Sequence, residues 1–276
     1  MAIELPIAKL DTYAASFRGP HLELVVASIG TGNTAAQLWE MPQPDADPLV
    51  LLWDQGNNVF YLAGQLIATP AQLGLERLIQ THIRRLVSAA GATHFKIRGL
   101  SPLLDEALAQ IRVATGLTEL YTLFYGFEKA QPHAIPAPAV EDIRFARIDR
   151  AFLTSATLAN IEPIRAEIRW MWPSEERFAT HGFGYAAMVQ ERVICWCTAE
   201  YVSAQRCGVG IETVPEYERR GVATATAARF IADAIRRGVT PYWECRRENI
   251  GSIRVAEKLG FERLSEERFW IGSVTT

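Results

Sequence analysis

Apolar residues recur at helical spacing from Val222 to Arg237, with Phe230, Ile231, Ala234 and Ile235 on one face and Gly238 ending the run. Short apolar runs flank this helix: Gly208–Thr213 before it and Thr240–Cys245 after it read as strands. Gly182–Val189 and Arg192–Tyr201 predict a hairpin turning near Gln190-Glu191, and Asp142–Ile148 predicts a strand. Helical sequence follows to about Trp170, interrupted or split by Pro163. Gly251–Leu259 predicts a shorter helix and Phe269–Ile271 part of a last strand. The earlier half is sparser. Val59–Ala63 reads as a strand, and Thr69-Pro70 supplies an N-cap and a proline at the first helical position for a helix to about Ala89, ended by Gly91. His94–Arg98 is a strand, Ser101-Pro102 opens a helix that Gly116 terminates, and Tyr121–Glu128 is a final strand. The order predicts an α/β (α+β) protein.

Residues 130–140 carry three prolines and no periodic apolar pattern, the signature of a linker. They divide the chain into an α/β domain at 1–130, a Pro-rich linker at 131–140 and a fuller domain at 141–276. The halves echo each other. Gly91–Arg98 stands where Gly238–Cys245 stands in the second half, each after a long helix and before a shorter one ending in glycine. A degenerate tandem repeat and an arrangement common to many α/β units both account for this.

Composition narrows the function classes. Net charge is −3 and the pI about 6.0, which favours neither nucleic acid nor an anionic membrane surface. Neither a signal peptide nor an apolar run of membrane-spanning length is legible, so the reading is a soluble cytoplasmic protein. The four cysteines, Cys195, Cys197, Cys207 and Cys245, are too few and too clustered for a disulfide framework. No Cys or His spacing matches a zinc site, so no metal is expected and buried thiols are the reading. His82 lies on the apolar stripe of Leu75, Leu78, Ile79, Ile83 and Leu86, where a core or boundary histidine is more common than a ligand.

The chemistry concentrates in Gly210–Thr224. A strand runs into a turn, and Arg219-Arg220-Gly221-Val222-Ala223 opens the amphipathic helix. Amides at a helix start lack intrahelical acceptors and sit at the positive end of the macrodipole. Glycine and alanine let a bulky anion approach the backbone. In physical terms this is a pyrophosphate cradle, although many α/β helices begin with such a turn and bind nothing. The Walker pattern and the Gly-x-Gly-x-x-Gly fingerprint are both absent. From Arg219 to Lys258 nine basic residues face four acidic ones (Asp233, Glu244, Glu248, Glu257), a local +5 on an acidic chain. That excess beside an anion-shaped turn favours a polyphosphate ligand over a merely solvated helix face.

The segment resembles motif A of the GNAT N-acetyltransferase superfamily, Gln/Arg-x-x-Gly-x-Gly/Ala. Asn249–Phe261 resembles its motif B, Asn-x-x-Ala/Ser followed by Lys-x-Gly-Phe. Ile211-Glu-Thr213, Pro241-Tyr-Trp243 and Ala256–Phe261 are similar to the subfamily that includes the zwittermicin-resistance acetyltransferase. The resemblance implies a GNAT fold in the C-terminal half and acetyl-CoA as co-substrate; if the internal echo is a repeat, residues 1–130 are a degenerate GNAT-like copy without a cofactor loop. The backbones of Ile211 and Thr213 would hold the acetyl carbonyl and pantetheine arm where a bulge splays the strand from its parallel neighbour. The amides of Arg219, Arg220, Gly221, Val222 and Ala223 would hold the pyrophosphate, with the Thr224 hydroxyl beside them. Asn249 and Ser252 would line the cofactor, and Arg246, Arg247 or Arg254 would reach its 3′-phosphate.

Three departures stand out. Glu218 replaces the leading Gln/Arg, Ala256 replaces a thiolate-protonating tyrosine, and little sequence follows Phe269–Ile271 for the usual last hairpin. The implied activity is direct transfer of an acetyl group to a primary amine. The acceptor is open: an aminopolyol, an amino acid, a polyamine or a protein amine, with small-molecule amines favoured and an oligomer allowed. Glu212 and Glu244 are the candidate bases, an exposed or salt-bridged glutamate being the alternative for each. Trp170-Met-Trp172 fits core packing better than an acceptor wall. The rival functions are a catalytically silent acyl-CoA sensor and an interaction module.

Overall fold

A computed structural model describes residues 2–43, 46–66, 70–127 and 137–274, with the side chains of 70–73 left aside. Thr69, Glu128 and the linker residues 130–136 lie outside the described residues. Two compact units form, and they exchange segments. One comprises 1–26, 35–122 and 267–276, the other 27–34 and 123–266.

The second unit holds β7 (Ile143–Arg147), β8 (Gly184–Val189), β9 (Arg192–Val202), β10 (Arg206–Thr213) and β11 (Thr240–Arg246). The order from the edge is β7-β8-β9-β10-β11, all antiparallel until β11, which lies parallel to β10. The end of β6 (Thr118–Phe127) lies beside β11, and the start of β12 (Phe261–Ser273) lies beyond it. The helices are α5 (Arg150–Leu153), α6 (Ile161–Met171), α7 (Glu175–His181), α8 (Val222–Arg236) and α9 (Ile250–Lys258). Helix α8 packs on the sheet through Val222, Phe230, Ile231 and Ala234, and Phe230 stacks on Phe183 at 4.7 Å. Ile235, read from its spacing as part of that face, is exposed.

Pro163 does not split a helix. It sits in the first turn of α6, where its missing N–H costs no intrahelical bond, and the break falls earlier, between α5 and α6. Helix α7 was not legible as an element; Ser174 caps it by accepting the Arg177 N–H at 3.0 Å. Trp172 is buried and donates to the Ala199 carbonyl at 2.8 Å, the packing role expected for it, whereas Trp170 is exposed.

The first unit repeats the strand plan. It contains β1 (Ile3–Leu5), a 3-10 segment (Ile7–Ser16), α1 (Pro20–Gly30) up to residue 26, β2 (Ala36–Gln43), β3 (Ala46–Asp54), β4 (Val59–Ala63) and β5 (His94–Gly99). Strands β1 to β4 are antiparallel in sequence, and β5 is parallel to β4. Between β4 and β5 the helix runs as α2 (Pro70–Arg77), a π-helical turn (Leu78–Ile83) and α3 (Arg84–Ala89). Then α4 (Pro102–Thr115) starts at Ser101, which accepts the Leu104 N–H, and ends at Gly116 with φ +64°. The second half of β12 pairs antiparallel with β5, Trp270 opposite Ile97. It is anchored by the Arg98–Glu267 and Arg268–Asp105 ion pairs and by Trp270 Nε1 donating to Asp105 at 2.9 Å. His82, in the π-helical turn, meets the edge of Trp39 at 5.2 Å, the boundary position expected of it.

Candidate active site

The register between β10 and β11 is short. Arg206, Cys207 and Gly208 pair with Thr240, Pro241 and Tyr242, whereas β10 runs on to Thr213 and β11 to Arg246. Just before the strands part, the β9–β10 ladder shifts register between Cys207 and Val209. An irregularity of this kind bends the strand and sharpens its twist. Beyond it, Val214 N donates to the Ile194 carbonyl at 3.0 Å. In an antiparallel ladder alternate residues turn their N–H and C=O to the same neighbour. Gly210, Glu212 and Val214 therefore face β9, and Ile211 and Thr213 turn their backbone groups toward the opened side.

The same alternation sorts side chains. Ile211 packs with Cys195 and Val222, and the Thr213 hydroxyl donates to Cys195 Sγ at 3.2 Å, on the face covered by α8. Glu212 stands opposite Trp196 on the other face, with α6. Tyr242 is opposite Gly208, so Glu244, two residues on, faces the same way as Gly210 and Glu212. The two candidate bases thus share one face, across the sheet from the start of α8.

That helix start is shaped by backbone conformation. Arg219 has φ +57° and Gly221, the N-cap, φ +79°, with no side chain capping the turn. A Cβ at Gly221 would make only an ordinary 3.6 Å contact with Pro138 Cα, so its φ, not space, demands glycine. Ala139 N donates to the Arg220 carbonyl at 2.9 Å, and the Arg220 guanidinium lies 5.5 Å from the Tyr217 ring centre. The α8 start has no side-chain cap, and Arg219 and Gly221 are both left-handed, the kind of turn from which backbone anion sites are built. Basic residues farther along are engaged elsewhere: Asp233 pairs with Arg147, Arg236 and Arg237, and Arg247 with Glu266.

Motif B residues hold structure. Asn249 is the N-cap of α9 and accepts the Ser252 N–H at 3.0 Å, while the Ser252 hydroxyl accepts the Trp243 indole N–H at 2.9 Å. Both are placed at the α9 start, after the opened end of β11. Arg246 and Arg254 are exposed, and Ala256 is wholly buried. The thiols are buried and unoxidised; burial pushes Cys195 up to about 11 and Cys197 and Cys207 up as well, which keeps them protonated.

One polar residue escaped the sequence reading. Glu167 of α6 accepts the Trp196 indole N–H at 2.6 Å and the Thr198 hydroxyl at 2.5 Å. Burial raises its pKa, against the pull of those two donors. Glu212 is raised too, first by desolvation and then by the charges of Glu167 and Glu218, although it is exposed. The available signal was a glutamate directly beside Ile164 and Ile168 of an apolar stripe, with Trp196 and Thr198 two apart on a strand.

The order of strands and helices in the second unit, the opened parallel pair and the glycine-shaped helix start define the GNAT fold. The sequence matches the GNAT acetyltransferase family over residues 52–268, and the chain belongs to that family. It is 31% identical over 215 residues to an uncharacterized N-acetyltransferase, YdfB, of Bacillus subtilis (strain 168), covering 77% of this chain and 73% of that one. A GCN5-related N-acetyltransferase-like protein from Streptococcus suis 89/1591 shares the fold at TM-score 0.66 and 15% identity, over 96% of this chain and 98% of that chain. A tandem GNAT protein from the clavulanic acid biosynthesis pathway does so at TM-score 0.54 and 13% identity, over 100% and 99%. The family typically uses acetyl-CoA. Among the described residues no helix is long and apolar enough to cross a membrane.

Proposed function

We propose that this protein transfers the acetyl group of acetyl-CoA to a primary amine of a small molecule, at the opened end of β10 and β11. The observation that carries the reading is the coincidence of that opening with the uncapped, glycine-shaped start of α8. The residues fit the co-substrate by their chemistry. Amides of Arg219 to Ala223 suit a pyrophosphate, with Thr224 beside them, and the backbones of Ile211 and Thr213 suit the amide-rich pantetheine arm. Asn249 and Ser252 would flank it from the α9 start.

Acetyl-CoA supplies an activated acyl thioester when bound. The protein's part is to orient it, hold the acceptor and move a proton. Glu212 and Glu244 lie on the face away from α8, so an amine arriving there would give its proton to one of them or to water held between them. The Ile211 amide suits charge building on the thioester oxygen. With Ala256 in place of a tyrosine, solvent is the proton source for the departing thiolate; a thiol pKa of ~8.5 makes a dedicated acid dispensable.

The similarity of Ile211-Glu-Thr213 and Pro241-Tyr-Trp243 to the zwittermicin-resistance type supports an aminated small molecule as acceptor. Residues 1–130 are read as a degenerate copy without the cofactor loop, 131–140 as a linker and 141–276 as the transferase domain. The test is purified protein with acetyl-CoA against an amine library, following free thiol and acetylated product. Turnover with at least one amine supports the reading. Tight cofactor binding with no transfer to any amine would replace it with an acyl-CoA sensor.

A further inference from the structure

Helix α6 carries three distinct stripes. Ile164, Ile168 and Met171 are buried on the sheet, and Glu162, Arg165 and Arg169 form an ion-pair group with Glu175 of α7. Both fix the helix in place. Between them lies Glu167, a carboxylate held by two donors from one strand, Trp196 Nε1 and Thr198 Oγ1. An indole nitrogen can only donate, so it needs an acceptor, and the carboxylate supplies one. Packing of the helix and these two bonds leave Glu167 little freedom to turn away.

Trp196 is also the cross-strand partner of Glu212, and Thr198 is the partner of Gly210. A Cβ at Gly210 would come within 2.7 Å of Glu200 Oε1, so the strand is glycine where carboxylates crowd it. We infer that Glu167 is a positioning residue for Glu212: pinned by Trp196 and Thr198, the cross-strand partners of Glu212 and Gly210, its carboxylate forms a pair with Glu212 on one face of the sheet. The inference rests on the acetyl-transfer reading of this site.

Two acidic groups act on Glu212 directly. Glu212 is faced by Glu167 from α6 and Glu218 from the turn before α8; Glu200 of β9 lies beside Gly210, two residues away, and Glu244 of β11 is on the same face of the sheet. The Cys195 and Cys197 thiols lie behind it and stay neutral. Like charges raise a carboxylate's proton affinity, and a raised value brings a general base toward the working pH. Glu167 needs no contact with the acceptor to act in this way.

The experiment is a pH titration of glutamate side-chain carboxyls by carbon-13 NMR on the full chain, for wild type, Glu167→Gln and Thr198→Val. In wild type the Glu212 midpoint lies above the ordinary carboxylate value. Glu167→Gln moves it down, and the acidic limb of kcat/KM for acetyl transfer moves to lower pH with KM for acetyl-CoA unchanged. Thr198→Val removes one donor to the ionised Glu167 and moves the Glu167 midpoint up. An unmoved Glu212 midpoint in folded Glu167→Gln overturns the pairing. Should that variant not fold, unmoved midpoints for both residues in Thr198→Val overturn it instead. The titration needs no turnover. Shifted midpoints in a protein that acetylates no amine would uphold the pair and defeat the transferase reading alone.

Discussion

Both halves of the chain place a helix between two parallel strands, and among the described residues only the second leaves the strands open. In the first unit β4 and β5 pair from Val59↔Lys96 to Leu62↔Gly99, and Leu100 N extends the zipper to the Leu62 carbonyl at 2.8 Å. Since β4 ends at Ala63, almost no strand is left beyond the pairing. In the second unit the pairing stops at Gly208↔Tyr242 with five residues of β10 still to run. The helix starts differ in the same sense. Helix α8 begins at a left-handed glycine with free amides, whereas α2 begins with Pro70, which lacks an N–H altogether. Shared topology is thus compatible with two different helix starts and two different strand openings. Among the described residues the two units differ in how far their parallel strands stay paired.

The largest effect expected follows from the α8 start. Gly221→Glu puts a bulky anion, in a conformation with φ +79° that a side chain disfavours, where a pyrophosphate would meet the amides. Acetyl-CoA binding should fall below detection by calorimetry while the fold persists. Unchanged affinity would erase the functional difference between the two helix starts.

Next comes the chemistry on the opposite face. Glu212→Gln should keep cofactor affinity and lose turnover by ~10²-fold or more, with Glu244→Gln as the parallel test. Wild-type turnover in both would exclude a carboxylate base at these positions.

A smaller effect belongs to the first unit. Asp105 receives Arg268 and the Trp270 indole, so Asp105→Ala should cost about 2 kcal/mol through lost charge-assisted bonds. Denaturant unfolding would read the loss, and acetyl-CoA affinity should not change. A matching loss of affinity would mean that the first unit shares in the site.

The smallest effect is in pH dependence. Burial raises Glu167 above 4.5, and burial with like charge raises Glu212, so ionising them opposes folding. Their favourable contribution is full below 4.5 and is lost as pH rises through the raised values. Glu212→Gln should therefore gain thermal stability relative to wild type between acid and neutral pH. A constant difference across that range would mean that Glu212 titrates as an ordinary surface group.

Sequence periodicity revealed the elements that are apolar on one side. Helix α8, the β8–β9 hairpin and the capped α4 all have clear ends: Gly238, Gln190 with φ +53°, and Ser101 with Gly116. Strand β2 was hidden because Leu38 and Trp39 are both buried, which destroys alternation, and because Pro42 interrupts it. Helix α1 contains Leu22, Leu24, Val25 and Ile29, all buried, a run too apolar to show one helical face. Strand β12 opens with charged residues at Glu262, Arg263, Glu266 and Glu267, so only its apolar end was visible. Its pairing with β5 depends on long-range register, which no local pattern encodes. The glycine turn before α8 was readable because φ restricts residue choice. Glu167 was not, because its role comes from donors on a strand far along the chain.

On the reading proposed above, one opened strand pair per chain binds one acetyl-CoA. Isothermal titration of the full chain with acetyl-CoA tests it most directly. One site per chain, abolished by Gly221→Glu, is the predicted result. Two equivalent sites per chain, or one site that survives Gly221→Glu unchanged, would contradict it.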